Sequence, residues 1–249
     1  MSLTALAGIT IVAFSAILLI GLFLLKDRVR ASFRTIPAFT KFIRSIGTAV
    51  EQGTRVHFSL GSADVTRERT GASFVGLSAL RHVAEMAAAS DKPPVVTSGD
   101  AALAVLSRDN LQSAYRAAGR DEQYSPNTGR VAGLTPFSYA AGSLSTLGDE
   151  DISSSLLAGS FGVEVGLLTE AIERQDAFTL SAADSLPAQA LVYASAKEPL
   201  IGEELYAIGA YLESGRIHEM SLYVQDILRW LIVLVLLGGA AMKLLAGLV

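Results

Sequence analysis

Apolar residues follow three different rhythms along this chain, and those rhythms assign most of its elements. At both ends they run together without a period. Leu3 to Leu25 is 23 residues with no charge, and Trp230 to Val249 is 20 residues with one, Lys243. Each run reaches the roughly 20 residues that a helix needs to cross a hydrocarbon core. No basic residue precedes the first run, which passes straight into Lys26. A retained span is therefore expected rather than a cleaved secretory signal. In the second run Lys243 lies near the C-terminus, where it can snorkel to the interface, while Arg229 and Trp230 suit the opposite interface. Gly238-Gly239 would admit a neighbouring helix.

Next to the first run the rhythm becomes helical. Val29, Phe33, Ile36, Phe39, Ile43, Ile46 and Val50 recur at spacings of three and four, with Arg30, Arg34, Lys41 and Arg44 elsewhere. Thr35-Ile36-Pro37 reads as a break and restart, with Pro at a first helical position. Two placements fit this amphipathic segment. It lies on anionic lipid or against neighbouring subunits, or it is a core-facing helix of the domain that follows.

From residue 54 short apolar runs alternate with helical stretches. Arg55 to Leu60, Pro94 to Thr97, Val131 to Leu134, Ser153 to Leu157, Ala177 to Ser181 and Pro199 to Ile201 read as strands. Gly71 to Ala89, Ala101 to Ala118, the stretch from Gly162 to Arg174, Leu186 to Ser195 and Glu203 to Glu213 read as helices. Ser98-Gly99-Asp100 is a helix-start signal, and residues 119 to 130 read as a loop. The spacing between 135 and 152 fits no minimal unit. Strand-helix alternation predicts an α/β fold: a Rossmann-like, three-layer domain with a mostly parallel sheet, flanked by one N-terminal and one C-terminal transmembrane helix. The expected organisation is span 1–25, basic amphipathic segment 26–53, α/β domain 54–225 and span 226–249.

Charge adds an orientation. Residues 26 to 44 hold six basic side chains against one acid, whereas residues 45 to 225 hold twelve basic and twenty-two acidic ones. Basic residues beside a span stay on the inner side, so the domain is expected to be cytoplasmic at the inner (plasma) membrane, with both termini outside. An acidic domain repels phosphate backbones and argues against nucleic acid as a partner. The absence of cysteine excludes disulfides and thiolate chemistry.

Ligands of open α/β sheets bind beyond the carboxyl ends of the strands. The loops expected there are Gly61-Ser62-Ala63-Asp64, Thr97 to Asp100, Thr135 to Tyr139, Gly159 to Glu164 and Gly202-Glu203-Glu204. In the turn Gly159-Ser160-Phe161-Gly162, glycines would let backbone amides approach a small anion or nucleotide at a helix N-terminus. The same turn also serves close helix-sheet packing, the commoner use. Its spacing matches neither a dinucleotide fingerprint nor a P-loop. Glu164, Glu203 and Glu204 could converge as a cation or acid-base site, or simply complement helix dipoles. The expected ligand-binding set is Gly159, Ser160, Gly162, Glu164, Gly202 and Glu203, with no catalytic constellation and an unassigned cofactor. His57, His82 and His218 lack metal-ligand spacing, and His57 is expected to be structural.

Ile36-Pro-Ala-Phe39, Val56-His-Phe-Ser-Leu-Gly61, Gly159-Ser-Phe-Gly-Val-Glu164, Leu200-Ile-Gly-Glu-Glu-Leu-Tyr-Ala207, Gly209-Ala-Tyr-Leu212 and Gln225-Asp226 resemble phrases of an uncharacterised family of prokaryotic membrane proteins, a domain of unknown function. The resemblance spans roughly residues 35 to 230. Ser62 to Arg69 departs from the more glycine-rich turn of that family, which puts a phosphate cradle there in doubt. The resemblance implies no activity. Three functions are then expected, in this order: a structural protein assembling into homo-oligomers in the bilayer, a module sensing a small anion or nucleotide, and an enzyme using Glu164 or Glu203.

Overall fold

The computed structural model describes residues 3–24, 33–62, 70–212 and 216–246. The chain divides into two compact units, Thr35–Ser214 and the two terminal segments together.

The larger unit carries a six-stranded sheet: β1 (Arg55–Gly61), β2 (Val95–Ser98), β3 (Gly129–Val131), β4 (Ile152–Ser160), β5 (Phe178–Ala183) and β6 (Glu198–Leu200). All five pairings are parallel and the order is β3-β2-β1-β4-β5-β6. This is the order of doubly wound dinucleotide-binding folds, and its topological switch point lies between β1 and β4.

Helices cover both faces. On one, α2 (Pro37–Gln52), α3 (Thr70–Ala87), α4 (Ala101–Ala117) and α8 (Glu204–Tyr211) bury Phe42, Leu80, Leu111 and Ile208 against Val56, Phe58 and Leu60 of β1. On the other, α5 (Pro136–Asp149), α6 (Val165–Arg174) and α7 (Leu186–Ser195) bury Tyr139, Leu168 and Val192 against Leu157 and Ala183. Burying each such Leu or Phe contributes roughly 1.5–3 kcal/mol.

The amphipathic segment takes the core-facing placement. Phe39, Phe42, Ile46 and Ala49 of α2 are buried, whereas Ile43 is 40% exposed, so the buried stripe is rotated from the one expected. Lys41 on its outer side pairs with Glu198 of β6. Lys26, Arg28 and Arg30 of the basic collar lie outside the described residues.

Two local differences from the expected elements share one cause. The third strand ends at Val131 rather than continuing to Leu134, and the unexplained spacing after it is the helix α5. Thr135 caps that helix: its side chain accepts from the Ser138 N–H, the Ser138 hydroxyl accepts from the Thr135 N–H, and Pro136 stands at the first helical position. Thr-Pro-Phe-Ser therefore starts a helix where the sequence pattern predicts a loop, because Ser replaces the Glu or Gln usual in a capping box. α5 is the crossover that carries the chain from one face of the sheet to the other before β4.

The terminal unit holds α1 (Leu3–Leu24) and α9 (Arg216–Ala246), which pack against each other. Among the described residues, one helix is long and apolar enough to cross a membrane, Ile217–Leu244 of α9; the described apolar stretch of α1, Gly8–Leu24, is shorter. Asp226 and Arg229 pair at 3.3 Å on α9, as their spacing suggests.

Candidate functional site

β1 and β4 stay paired to their last residues. Gly61 lies opposite Ser160, the Ser62 N–H donates to the Ser160 carbonyl at 3.0 Å, and the Gly99 N–H donates to the Gly61 carbonyl at 2.9 Å. Gly61 has φ +87°, and a Cβ there would run into the Ser160 backbone. A Cβ on Gly159 would likewise meet the Leu60 carbonyl. These two glycines let the strands meet tightly at the switch point, where a doubly wound fold opens its crevice.

Glu164 completes the closure. It stands at the entrance to α6 in helical conformation, so its side chain does not cap that helix. The carboxylate turns back instead. Oε1 accepts from the Ser62 hydroxyl at 2.6 Å and from the Gly162 N–H at 2.9 Å, and the residue is 1% exposed. The N–H and hydroxyl that an anion would use thus serve an internal carboxylate, and their charge-assisted bonds tie the β4 turn to the β1 loop.

The open volume lies to one side, over the ends of β4 and β5. A cleft of about 830 Å³ is walled by Ser160 to Val163 after β4, Asp184 to Pro187 after β5, Tyr206 on α8, and Ser62 and Gly71. Ser185 caps α7 and donates its hydroxyl to the Phe161 carbonyl at 2.7 Å, which holds the two loops together. Asp184 accepts from the Ser160 hydroxyl at 2.9 Å through Oδ2, while its Oδ1, shielded from solvent, has no hydrogen-bond partner among the described residues. No Lys, Arg or His stands in the wall among the described residues.

The expected site residues divide accordingly. Ser160 and Gly162 line the cleft, Glu164 is buried behind Gly162, and Gly159 acts in strand packing. Gly202 and Glu203 follow β6 and are not in the cleft wall; the Gly202 N–H donates to Gln189 Oε1 at 3.2 Å. The neighbouring Glu204 accepts from the Ile201 N–H at 3.4 Å. Among the described residues no three His, Asp or Glu side chains gather as a metal site, so Glu164, Glu203 and Glu204 do not meet as one.

Beneath the switch point lies a buried polar patch. His57 Nε2 and Thr97 Oγ1 are 2.9 Å apart, Ser155 Oγ lies 3.4 Å from His57 Nδ1, and the Tyr139 hydroxyl bonds Ser59. Burial, with help from the Arg130 charge, pushes the His57 pKa down to about 3. Burial also raises that of Tyr139, against the opposing effect of the hydroxyls around it. His57 is neutral at ordinary pH and has the structural place expected of it.

A family model described as Domain of unknown function (DUF6754) matches residues 3–249, a span that includes both terminal helices. The chain belongs to this family. No curated protein and no solved structure matches it.

Asp184, Ser185 and Tyr206 are the site residues that sequence reasoning missed. The sequence pattern predicts a fifth strand that stops at Ser181, two residues short of its edge. The strand runs to Ala183, which puts Asp184 at the carboxyl edge. The signal was present in Asp184-Ser185-Leu186-Pro187, a capping Ser with Pro in the first turn. Nothing local marks Tyr206, because it reaches the cleft only through the return of α8.

Proposed function

We propose that this member of the family is a membrane-anchored α/β module that binds a small ligand in the cleft over β4 and β5. The observation that carries the reading is that cleft, formed at the carboxyl edge of a parallel sheet, where convergent loops supply hydroxyls, a carboxylate and an aromatic ring. Full-length protein in mild detergent should show a saturable rise in melting temperature with one class of small metabolite, since binding to the native state raises stability by mass action. The rise should be lost in Tyr206→Ala, a residue that is 45% exposed and therefore replaceable without unfolding. A flat response across a broad metabolite panel overturns the reading.

The anchor is α9, with α1 as a second span and the domain on the cytoplasmic side of the inner membrane. Three features support this. α1 has no charged residue, and its Thr10 and Ser15 hydroxyls donate to carbonyls four residues back, which leaves them no need of outside partners. The basic residues after α1 favour the inner side. The chain has no cysteine, so Ser145→Cys, on an exposed part of α5, supplies a unique label site. An impermeant maleimide should label it in intact cells only after the inner membrane is opened.

A second reading, homo-oligomeric assembly, is favoured by Leu134 and Phe137, 74% and 66% exposed beside the edge strand β3. Apolar groups grouped at a sheet edge invite association. Light scattering in detergent should give a multimer that Leu134→Ser with Phe137→Ser dissociates; a monomeric parent chain rules it out.

A further inference from the structure

We infer that two copies of the chain join along β3, each strand pairing antiparallel with its own copy about a two-fold axis; the inference rests on the assembly reading and names the element that makes the contact. The two edges of the sheet differ. β6 is blunted: Pro199 at its centre has no N–H to offer a further strand, and Glu198 beside it is held by Lys41. β3 has no proline, and the direction of its backbone groups follows from its bonds to β2. The Ala132 N–H donates to the Ser98 carbonyl at 2.9 Å, and the Ser98 hydroxyl reaches the Arg130 carbonyl at 3.3 Å, so residues 130 and 132 face β2. Successive residues of a strand direct these groups to opposite sides, which turns the N–H and C=O of Val131 to the free edge. Gly129 follows the same alternation: its carbonyl points outward, where Arg108 Nε donates to it at 2.7 Å. Among the described residues no group from outside the sheet does the same for Val131.

A backbone donor and acceptor on one residue of an edge strand define their partner, which is another extended backbone. A second copy meets that need with its own Val131. Opposite residues of an antiparallel pair can exchange both bonds, and a two-fold axis at Val131 sets the residue opposite itself. Val131, Leu134 and Phe137 are 42%, 74% and 66% exposed at and just after the strand, and pairing would bring the two sets together and remove apolar surface from water. Arg130 is already paired with Glu150, so it sets no unpaired charge against its own copy across the axis. Pairing of like edges uses up β3, and with β6 blunted the sheet closes at two chains. The contact is small, and anchoring both copies in one bilayer offsets this by raising their effective concentration.

The chain has no cysteine, so Val131→Cys places a single thiol at the expected axis. Residues that exchange both bonds have Cα atoms about 5.5 Å apart, within the span of a disulfide. Mild oxidation of membranes holding full-length Val131→Cys should give a covalent dimer on a non-reducing gel, while Ser145→Cys, exposed elsewhere on α5, should give little. Val131→Pro deletes the outward N–H and no ladder bond, so it should melt cooperatively yet convert a two-chain particle to a single chain in light scattering. If Val131→Pro does not melt cooperatively, the Val131→Cys bridge alone decides. A multimeric parent that yields no bridged dimer, or that stays multimeric in a folded Val131→Pro, overturns the strand pairing and leaves assembly through Leu134 and Phe137 standing. A monomeric parent chain overturns the inference and the assembly reading together.

Discussion

β1 displays both faces of the sheet within six residues. Val56, Phe58 and Leu60 enter a layer of mainly apolar side chains from α2, α3, α4 and α8. His57 and Ser59 point the other way, toward Thr97, Ser155 and Tyr139, where hydroxyls and an imidazole fill the space between strand and α5. Both layers are buried, but they tolerate different things. The apolar layer depends on volume, because a missing methylene leaves atoms without contacts. The polar layer depends on pairing, because a hydroxyl without its partner retains its full desolvation cost. The polar layer lies directly under the switch point and the closed ends of β1 and β4, so the strand pair nearest the candidate site rests on directional bonds.

The sharpest way to break the comparison is to empty one side. Phe58→Ala should cost about 3–5 kcal/mol, the range for large-to-small changes in a sealed core, read as a large fall in melting temperature of the detergent-solubilised protein. A small effect would mean that the α3 side collapses easily and is not the stiffer layer.

Acid should act on the other side alone. The unfolded chain binds a proton at His57 near the ordinary pKa of 6.5, while the folded protein resists until about 3. Between those values the unfolded state holds more protons, so stability is full above about 6.5 and falls with the pH. One such group contributes a slope of about 1.4 kcal/mol per pH unit. The melting temperature should drop from pH 6.5 to pH 5, before most carboxylates titrate, and His57→Gln should flatten that drop. An unchanged slope in the variant would assign the acid sensitivity to other groups.

The smallest effect is expected from Tyr139→Phe, which removes one hydroxyl and leaves Ser59 to find another partner. A loss of about 1 kcal/mol is expected, measured by chemical unfolding. A much larger loss would show that the polar layer behaves as a network rather than as pairs.

How much of this could be read from the sequence follows the same division. The apolar face of β1 and the helices α3, α4 and α7 are legible because period-2 and period-3.6 patterns report burial directly. The strand-end loop around Ser160 and Gly162 is legible as a loop because Gly marks a strand-helix junction. The closure by Glu164 was not. A glutamate entering a helix normally complements its dipole, and only the register of Gly61 against Ser160 brings Ser62 within reach of it. The polar patch is hidden for a similar reason: its members come from β1, β2, β4 and α5, and only the fold brings residues 57, 59, 97, 139 and 155 together. Asp184 was missed through an error of two residues at the end of one strand.

The strand order also bears on how the protein is made. Arg55 of β1 is paired with Ile152 of β4, so the central pair of the sheet joins segments far apart along the chain. At ribosomal rates of roughly 5–20 residues per second, β1 emerges several seconds before its partner exists. During that interval it can join only β2 and the helices that flank it, and its other edge waits unpaired. Such long-range pairing is slow to form and open to wrong partners.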